Sequence, residues 1–193
     1  MRRFVVVGQR TVTGDFSLND LTGGSGRLDV LLRCVNSAFF LSHGIRDDTE
    51  LFLVLKGEPD PPKTLRMVGS ELRGLNPDER SAAGLLKKAL GMKLPKGLEK
   101  RASDGIYISR RDLGNLVEHI GKENIYYLHE DGGDVRDLEL PEGGIFVLGD
   151  DIGLEKEDGK FLLGCKKISL GPEVLHSHHC ITLLHNELDR RRD

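Results

Sequence analysis

The chain of 193 residues has no tryptophan, only 5 % aromatic residues and three cysteines. Cys34, Cys165 and Cys180 are an odd count without CxxC spacing, which argues against a disulfide framework and against a cysteine-rich zinc site. No apolar run approaches the roughly 18 residues that cross a bilayer. The start, Arg2-Arg3 and then Phe4-Val5-Val6-Val7 before Gly8, is too short for the apolar stretch of about 7–15 residues in a secretory signal. It reads as a strand, and the expectation is a cytoplasmic protein with no membrane contact. An excess of one charge is also missing: 28 Lys+Arg face 31 Asp+Glu, a net −3, so any nucleic-acid surface must be local. What the chain does have is 38 % hydrophobic beside 31 % charged residues, enough for a packed core rather than disorder. Its length predicts one domain over residues 1–193.

Strand-like and helix-like segments alternate, the pattern of an α/β domain. Phe4–Val7 and Leu51–Leu55 are apolar and continuous, as in strands covered on both faces. Between them, Leu28, Leu31, Leu32, Val35, Ala38 and Phe39 recur at helical spacing. Thr64–Val68 reads as a hairpin partner of Leu51–Leu55. Asn76-Pro77-Asp78-Glu79 predicts a helix start, with Asn76 as cap and Pro77 first in the helix, running to about Gly91. A polar, lysine-rich connection follows over Gly91–Asp104. Strands are then expected at Gly105–Ser109, Ile125–Leu128, Gly144–Leu148 and Phe161–Ile168. Helices are expected at Asp112–Ile120, closed by Gly121, and at Leu175–Arg190.

Three constellations are candidates for chemistry. Gly23-Gly24-Ser25-Gly26 precedes the Leu28 helix, where a glycine-rich loop can present N–H groups to a phosphate, but it lacks the Gly-Lys-Ser/Thr ending of a P-loop and reads as a surface loop. His176, His178, His179 and Cys180 are possible zinc ligands, yet adjacent positions of a helix point apart, so helix-start packing is the plainer reading. Glycine-punctuated strand ends occur at His129-Glu130-Asp131-Gly132-Gly133, Gly149-Asp150-Asp151 and Ser169-Leu170-Gly171-Pro172. In an open α/β sheet, ligands bind outside the carboxyl ends of the strands, so these three loops form a candidate cofactor cradle.

The segment Ile168-Ser169-Leu170-Gly171-Pro172, with Leu175, Cys180-Ile181-Thr182 and His185-Asn186-Glu187-Leu188-Asp189-Arg190, resembles the C-terminus of the archaeal tRNA pseudouridine-54 N1-methyltransferases, of the SPOUT or α/β-knot superfamily. Gly26-Arg27-Leu28-Asp29, Gly69 with Arg73-Gly74-Leu75-Asn76-Pro77-Asp78-Glu79-Arg80, and Phe146-Val147-Leu148-Gly149-Asp150 resemble the same family, in order along nearly the whole chain. The resemblance implies an α/β SPOUT methyltransferase fold with a C-terminal deep trefoil knot, a rare exception to the rule against threaded connections. It implies a homodimer, a tRNA substrate and S-adenosyl-L-methionine (SAM) as cofactor. Residue by residue, it places SAM at Leu128, at Gly149, along Leu170, Gly171, Pro172, Glu173, Val174 and Leu175, and at Cys180. The apolar Ile181, Leu184 and Leu188 stripe needs a cover, either a second copy of the chain or the chain's own sheet.

Methyl transfer from a sulfonium needs alignment of two reactants and no metal, because the leaving group departs neutral. The N1 proton of pseudouridine is weakly acidic. It requires a carboxylate to remove it or a cation to stabilise the anion. Asp29 is the candidate base, with a helix-start salt bridge to Arg27 or Arg33 as the alternative. Candidate RNA contacts are Arg27, Arg33 and Arg46, from an N-terminal set that also holds Arg2, Arg3 and Arg10. A second group is Lys87, Lys88, Lys93, Lys96, Lys100 and Arg101. The competing functions are a ribosomal RNA pseudouridine N1-methyltransferase of the same superfamily and a catalytically silent RNA-binding adaptor.

Overall fold

The computed structural model describes residues 1–95, 97–141 and 143–191. Lys96 therefore lies outside the described residues. In chain order the elements are β1 (Arg2–Gly8), α1 (Leu28–Phe39), a short hairpin of β2 (Phe40–Leu41) and β3 (Gly44–Ile45), β4 (Thr49–Leu55), β5 (Lys63–Val68), α2 (Glu79–Leu90), β6 (Lys100–Ser103), β7 (Ile106–Ser109), α3 (Leu113–Ile120), β8 (Ile125–Asp134), β9 (Ile145–Gly149), α4 (Lys156–Phe161), β10 (Lys166–Ser169) and α5 (Ser177–Arg190). One eight-stranded sheet runs β10-β8-β9-β1-β4-β5-β7-β6. The half from β10 to β4 is parallel and the rest antiparallel.

The valine run of β1 sits at the centre because both its faces are covered. Side chains alternate across a strand, so Phe4 and Val6 join α1, α2 and α5 in one core, while Val5 and Val7 join Leu113, Leu116, Val117 and Leu162 in the other. β1 lies in register between β4 and β9, with Val5 opposite both Phe52 and Val147. The result is an α/β sheet with a helical layer on each side, as the alternation implied.

Four local readings differ from the sequence expectation. The α2 cap is Asp78, not Asn76: the Asp78 carboxylate accepts the Ser81 N–H at 2.7 Å, and Pro77 stands outside the helix. The lysine-rich connection carries β6, an edge strand with its outer residues exposed and thus without an apolar pattern. Phe161–Ile168 is not one strand; Phe161 ends α4 and only Lys166–Ser169 pairs with β8. The helix was hidden by Gly159, and it is held by a reciprocal capping box of Glu155 and Asp158. Finally, β8 runs past Leu128 to Asp134, because β10 pairs with Tyr127 and then with Gly133. Gly132 allows this: a Cβ there would lie 2.3 Å from the Ile168 carbonyl carbon.

The Ile181 and Leu184 stripe of α5 is covered by the chain's own core against α1, and Leu188 is partly buried there too, so it is no dimer face. The far end of α5 is clamped to the amino end of β1. Buried Arg2 donates to His185 Nδ1 at 3.0 Å and to Asp189 Oδ1 at 2.5 Å, and Arg46 closes on Asp189 Oδ2 at 2.6 Å. His185 Nε2 meets the Ala38 carbonyl at 3.0 Å, so the neutral Nε2–H tautomer satisfies both ring nitrogens. Burial, with Arg46 and Arg2 adding to it, lowers the His185 pKa to about 3. Burial also opposes the charge on Asp189, but hydrogen bonds from Arg46 and Arg2 outweigh it and hold its pKa at about 2.

The sign of the pH dependence follows. Below the ordinary histidine value of 6.5 the unfolded chain takes up a proton that folded His185 refuses, so stability is lost as pH falls from 6.5 toward 3. Asp189 adds a second loss from 3.8 down to about 2. Calorimetric melting between pH 7 and pH 4.5 is expected to show a falling Tm, with a shallower fall in His185→Gln, whose amide does not titrate.

Candidate cofactor and RNA site

The parallel half of the sheet brings the carboxyl ends of β1, β9 and β10 to one edge, and α1 and α5 both start there. The 149–153 loop is tied to β1 by Asp150, whose Oδ2 accepts the Gln9 N–H at 2.7 Å while Oδ1 accepts the Ile152 N–H at 2.9 Å. Burial raises the Asp150 pKa, and those two N–H groups pull it back. Ser177 Oγ, at the first turn of α5, donates to the Gly149 carbonyl at 2.5 Å. Cys180 Sγ, one turn further, points at the Leu175 carbonyl at 3.7 Å. Burial pushes the Cys180 thiol up to about 11, so at neutral pH it is an uncharged, polarisable wall rather than a nucleophile.

The 170–175 segment is free to bind. Leu128 and Leu170 pack partly into the core, whereas Pro172, Glu173, Val174 and Leu175 are exposed. Among the described residues, the N–H groups of Glu173, Val174 and Leu175 donate to no backbone or side-chain acceptor. A Cβ on Gly171 would meet nothing within 4 Å. Unused donors beside Val174 and Leu175 suit a nucleoside that needs both edge hydrogen bonds and an apolar face. Gly149 differs: its Cβ would lie 2.2 Å from the Gly153 carbonyl carbon, so the glycine serves the loop's own packing rather than ligand access.

Arginines and acids alternate beside this loop. Arg10 Nη2 and Arg27 Nη1 both reach Asp151 Oδ2, at 3.0 and 3.3 Å. Arg27 also forks onto Asp29, Nε to Oδ1 at 3.0 Å and Nη2 to Oδ2 at 3.2 Å. Arg33 Nη2 meets the same Oδ2 at 3.0 Å, and its Nε meets Glu79 at 3.2 Å. The Asp29 side chain is 2 % exposed, and both its oxygens are engaged by guanidinium. The structure thus links Arg27, Asp29 and Arg33 to the 149–153 loop. Arg46 is parted from them: with Arg2 and Arg3 it stands at the amino edge of the sheet, paired with Asp189. In the second basic group, Lys87 is paired with Asp15 and Arg101 with Asp104.

Two other candidates have the following geometry. The N–H groups of Gly23 and Gly24 already donate to Asp20, at 2.8 and 2.7 Å, and lower its pKa. The rings of His178 and His179 lie 4.0 Å apart, and among the described residues no group of three His, Cys, Asp or Glu is placed to hold a metal. A cavity of about 590 Å³ lined by Asn124, Tyr126, Lys166 and Arg191 opens at the opposite edge, away from these loops. The partners that sequence reasoning missed are Gln9, Lys56 and Asp158. Asp158 is buried and accepts Gln9 Nε2 at 2.6 Å and Lys56 Nζ at 3.0 Å, which braces the loop from below. The only signal available was position, since Gln9 and Lys56 each follow a strand that was expected.

A strand-end cradle with unused backbone donors, beside ordered arginines, is the arrangement of a nucleotide-cofactor enzyme acting on a polyanion. Residues 1–192 match the family described as "Putative SAM-dependent RNA methyltransferase". In fold the chain is similar to the crystal structure of Archaeoglobus fulgidus Nep1 bound to S-adenosylhomocysteine, at a TM-score of 0.67 and 15 % identity over 98 % of each chain. The protein is a SAM-dependent RNA methyltransferase with the SPOUT fold. It is 50 % identical to the tRNA (pseudouridine(54)-N(1))-methyltransferase of Methanocella arvoryzae, over 99 % of this chain and 100 % of that one. It is 46 % identical to that of Methanocaldococcus jannaschii, over 100 % and 98 %. The chain belongs to the family of the archaeal tRNA (pseudouridine(54)-N(1))-methyltransferases.

The two glycines are expected to separate stability from binding. Gly149→Ala lowers Tm, because its new methyl collides with Gly153. Gly171→Ala, at φ 148° in open space, costs about 1 kcal/mol of backbone strain and weakens SAM binding. Melting curves and titration calorimetry on both variants check this.

Proposed function

We propose that this chain transfers the methyl group of SAM to N1 of pseudouridine 54 in tRNA, working as a homodimer in the cytoplasm with residues 1–193 as one catalytic unit. The observation that carries the reading is the placement of Arg27, just ahead of α1, and Arg33, within it, beside the 149–153 loop, which Arg27 reaches through Asp151. Leu128, Gly149, Leu170, Gly171, Pro172, Glu173, Val174, Leu175 and Cys180 line the cofactor site, with the free N–H groups of 173–175 on the nucleoside. SAM supplies an electrophilic methyl group on a positively charged sulfur. The residues around it align the nucleophile and exclude water. We assign Arg27 and Arg33 to the RNA side, where a guanidinium stabilises the N1 anion as its proton passes to solvent water. Asp29, with a side chain only 2 % exposed and both oxygens paired to those guanidiniums, holds them in place. In this proposal the C-terminal segment from β10 through α5 is the part threaded as a knot. Exposed Leu183 on α5 is apolar surface left for a second copy.

Uridine has its glycosidic bond at N1, so that atom is open only after conversion to pseudouridine. Nucleoside mass spectrometry is expected to show SAM-dependent methylation of tRNA pretreated with a pseudouridine synthase, and none of the untreated transcript. Equal methylation of both, or activity confined to ribosomal RNA, overturns the assignment. Asp29→Asn is expected to raise KM for RNA severalfold and to destabilise the fold by about 1–2 kcal/mol. A loss confined to kcat, with KM and Tm unchanged, makes Asp29 the base instead. Light scattering checks the dimer; a fully active monomer at micromolar concentration contradicts it.

A further inference from the structure

We propose that Arg10 and Arg27 form a subsite for one phosphate of the RNA backbone, and that Asp151 occupies it as an anionic placeholder which the RNA displaces. The inference rests on the function proposed above, since it states how that site takes hold of its RNA. One carboxylate oxygen, Asp151 Oδ2, receives both guanidiniums, at 3.0 Å from Arg10 and 3.3 Å from Arg27. Two cations converging on one anionic oxygen is the arrangement that a phosphate oxygen meets on an arginine-lined surface.

The Arg10 backbone and the Arg27 guanidinium are held in place without Asp151. Arg10 leaves the end of β1 in a pinch between two glycines: a Cβ on Gly26 would lie 1.9 Å from the Arg10 carbonyl oxygen, and one on Gly57 2.3 Å from it. Thr11 Oγ1 donates to the Gly26 carbonyl at 3.1 Å, and the Gly57 N–H donates to the Thr11 carbonyl at 3.0 Å. Arg27 has a left-handed backbone, φ 64°, and two of its guanidinium nitrogens are fixed by buried Asp29. Only Nη1 turns to Asp151.

The two acids that hold Arg27 therefore differ in kind. Asp29 is buried and engaged by two arginines. Asp151 is reached from solvent, with side chains 58 % exposed at Arg10, 39 % at Arg27 and 21 % at Asp151 itself. Exposed pairs of this type contribute little and yield to a stronger anion. The neighbouring Asp150 carries the loop's backbone contacts, so the Asp151 carboxylate can swing away while the 149–153 loop stays in place. With Asp151 in the subsite, a weaker polyanion is refused and the bare arginines do not collect phosphate at random.

The test is a double-mutant cycle on the full chain, read by fluorescence anisotropy with a labelled T-arm stem-loop RNA carrying pseudouridine at position 54. Asp151→Asn is expected to tighten binding about two- to fivefold. Arg10→Gln is expected to weaken it and to reduce the slope of log K against log salt by about 1. In the Arg10→Gln background the gain from Asp151→Asn should shrink, because the placeholder then has one cation fewer to release. An equal gain in both backgrounds means that Asp151 acts only as a distant repelling charge, and overturns the proposal. So does an Arg10→Gln variant with unchanged affinity and salt slope. Melting curves accompany each variant, and Asp151→Ser repeats the cycle if the asparagine form is unstable. Methyl transfer to the same RNA is measured in parallel by nucleoside mass spectrometry. Wild-type protein that binds without methylating defeats the proposed function while the cycle still decides the subsite. Wild-type protein that does not bind this RNA defeats the subsite itself.

Discussion

A buried guanidinium needs partners, and the burial of Arg2 organises the C-terminal third of this protein. Taking an unpaired charge out of water costs several kcal/mol, and β1 buries its first arginine against Asp48 and against His185 and Asp189 of α5. That contact fixes the far end of α5. Its near end is fixed by Ser177 on the Gly149 carbonyl. The 170–175 segment, proposed to hold the cofactor, leaves β10 and enters α5, so it hangs between a strand end and a helix anchored at both ends. It can therefore leave the N–H groups of Glu173, Val174 and Leu175 unused without collapsing onto the sheet.

The same economy of charge shapes the opposite edge. A net charge of −3 conceals an alternation in which acids space and hold the arginines: Arg10, Asp151, Arg27, Asp29, Arg33 and Glu79 follow one another at hydrogen-bond distance. Low net charge is thus compatible with a polyanion surface, because the basic groups are ordered rather than numerous. Below the loop, Asp158 receives Gln9 and Lys56 and joins the ends of β1 and β4 to α4. The 149–153 loop is consequently held from β1, from α5 and from α4, with Asp151 turned to the arginines.

Local pattern made most elements legible. The valine run of β1, the apolar run of β4 and the leucine spacing of α1 carry strong periodic signals, since each buries a face defined by its own repeat. The elements that escaped have weak repeats. β6 is an exposed edge, and α4 is six residues with a glycine inside, held by a capping box and by a buried aspartate whose partners are about 100 and 150 residues away. The α5 stripe was legible as apolar, but not what would cover it. A helix face reads the same whether α1 or a second chain packs on it.

The sequence by itself determined the alternating α/β order, the strand-end glycines and the stretches that resemble the archaeal family, because these are carried by neighbours in the chain or by ordered residue identity. Only the tertiary structure decided which arginines share a site. Arg10, Arg27, Arg33 and Arg46 are indistinguishable as residues in one basic quarter, yet parallel strands have direction. Arg10, following the carboxyl end of β1, and Arg27, opening α1, reach the 149–153 loop, while Arg46, ahead of β4, is carried to the other edge and paired with Asp189. The same holds for Gly149, whose need for glycine comes from Gly153 folding back to within 2.2 Å of where a side chain would begin. Contacts of that kind depend on where the chain returns in space, and no local pattern encodes them.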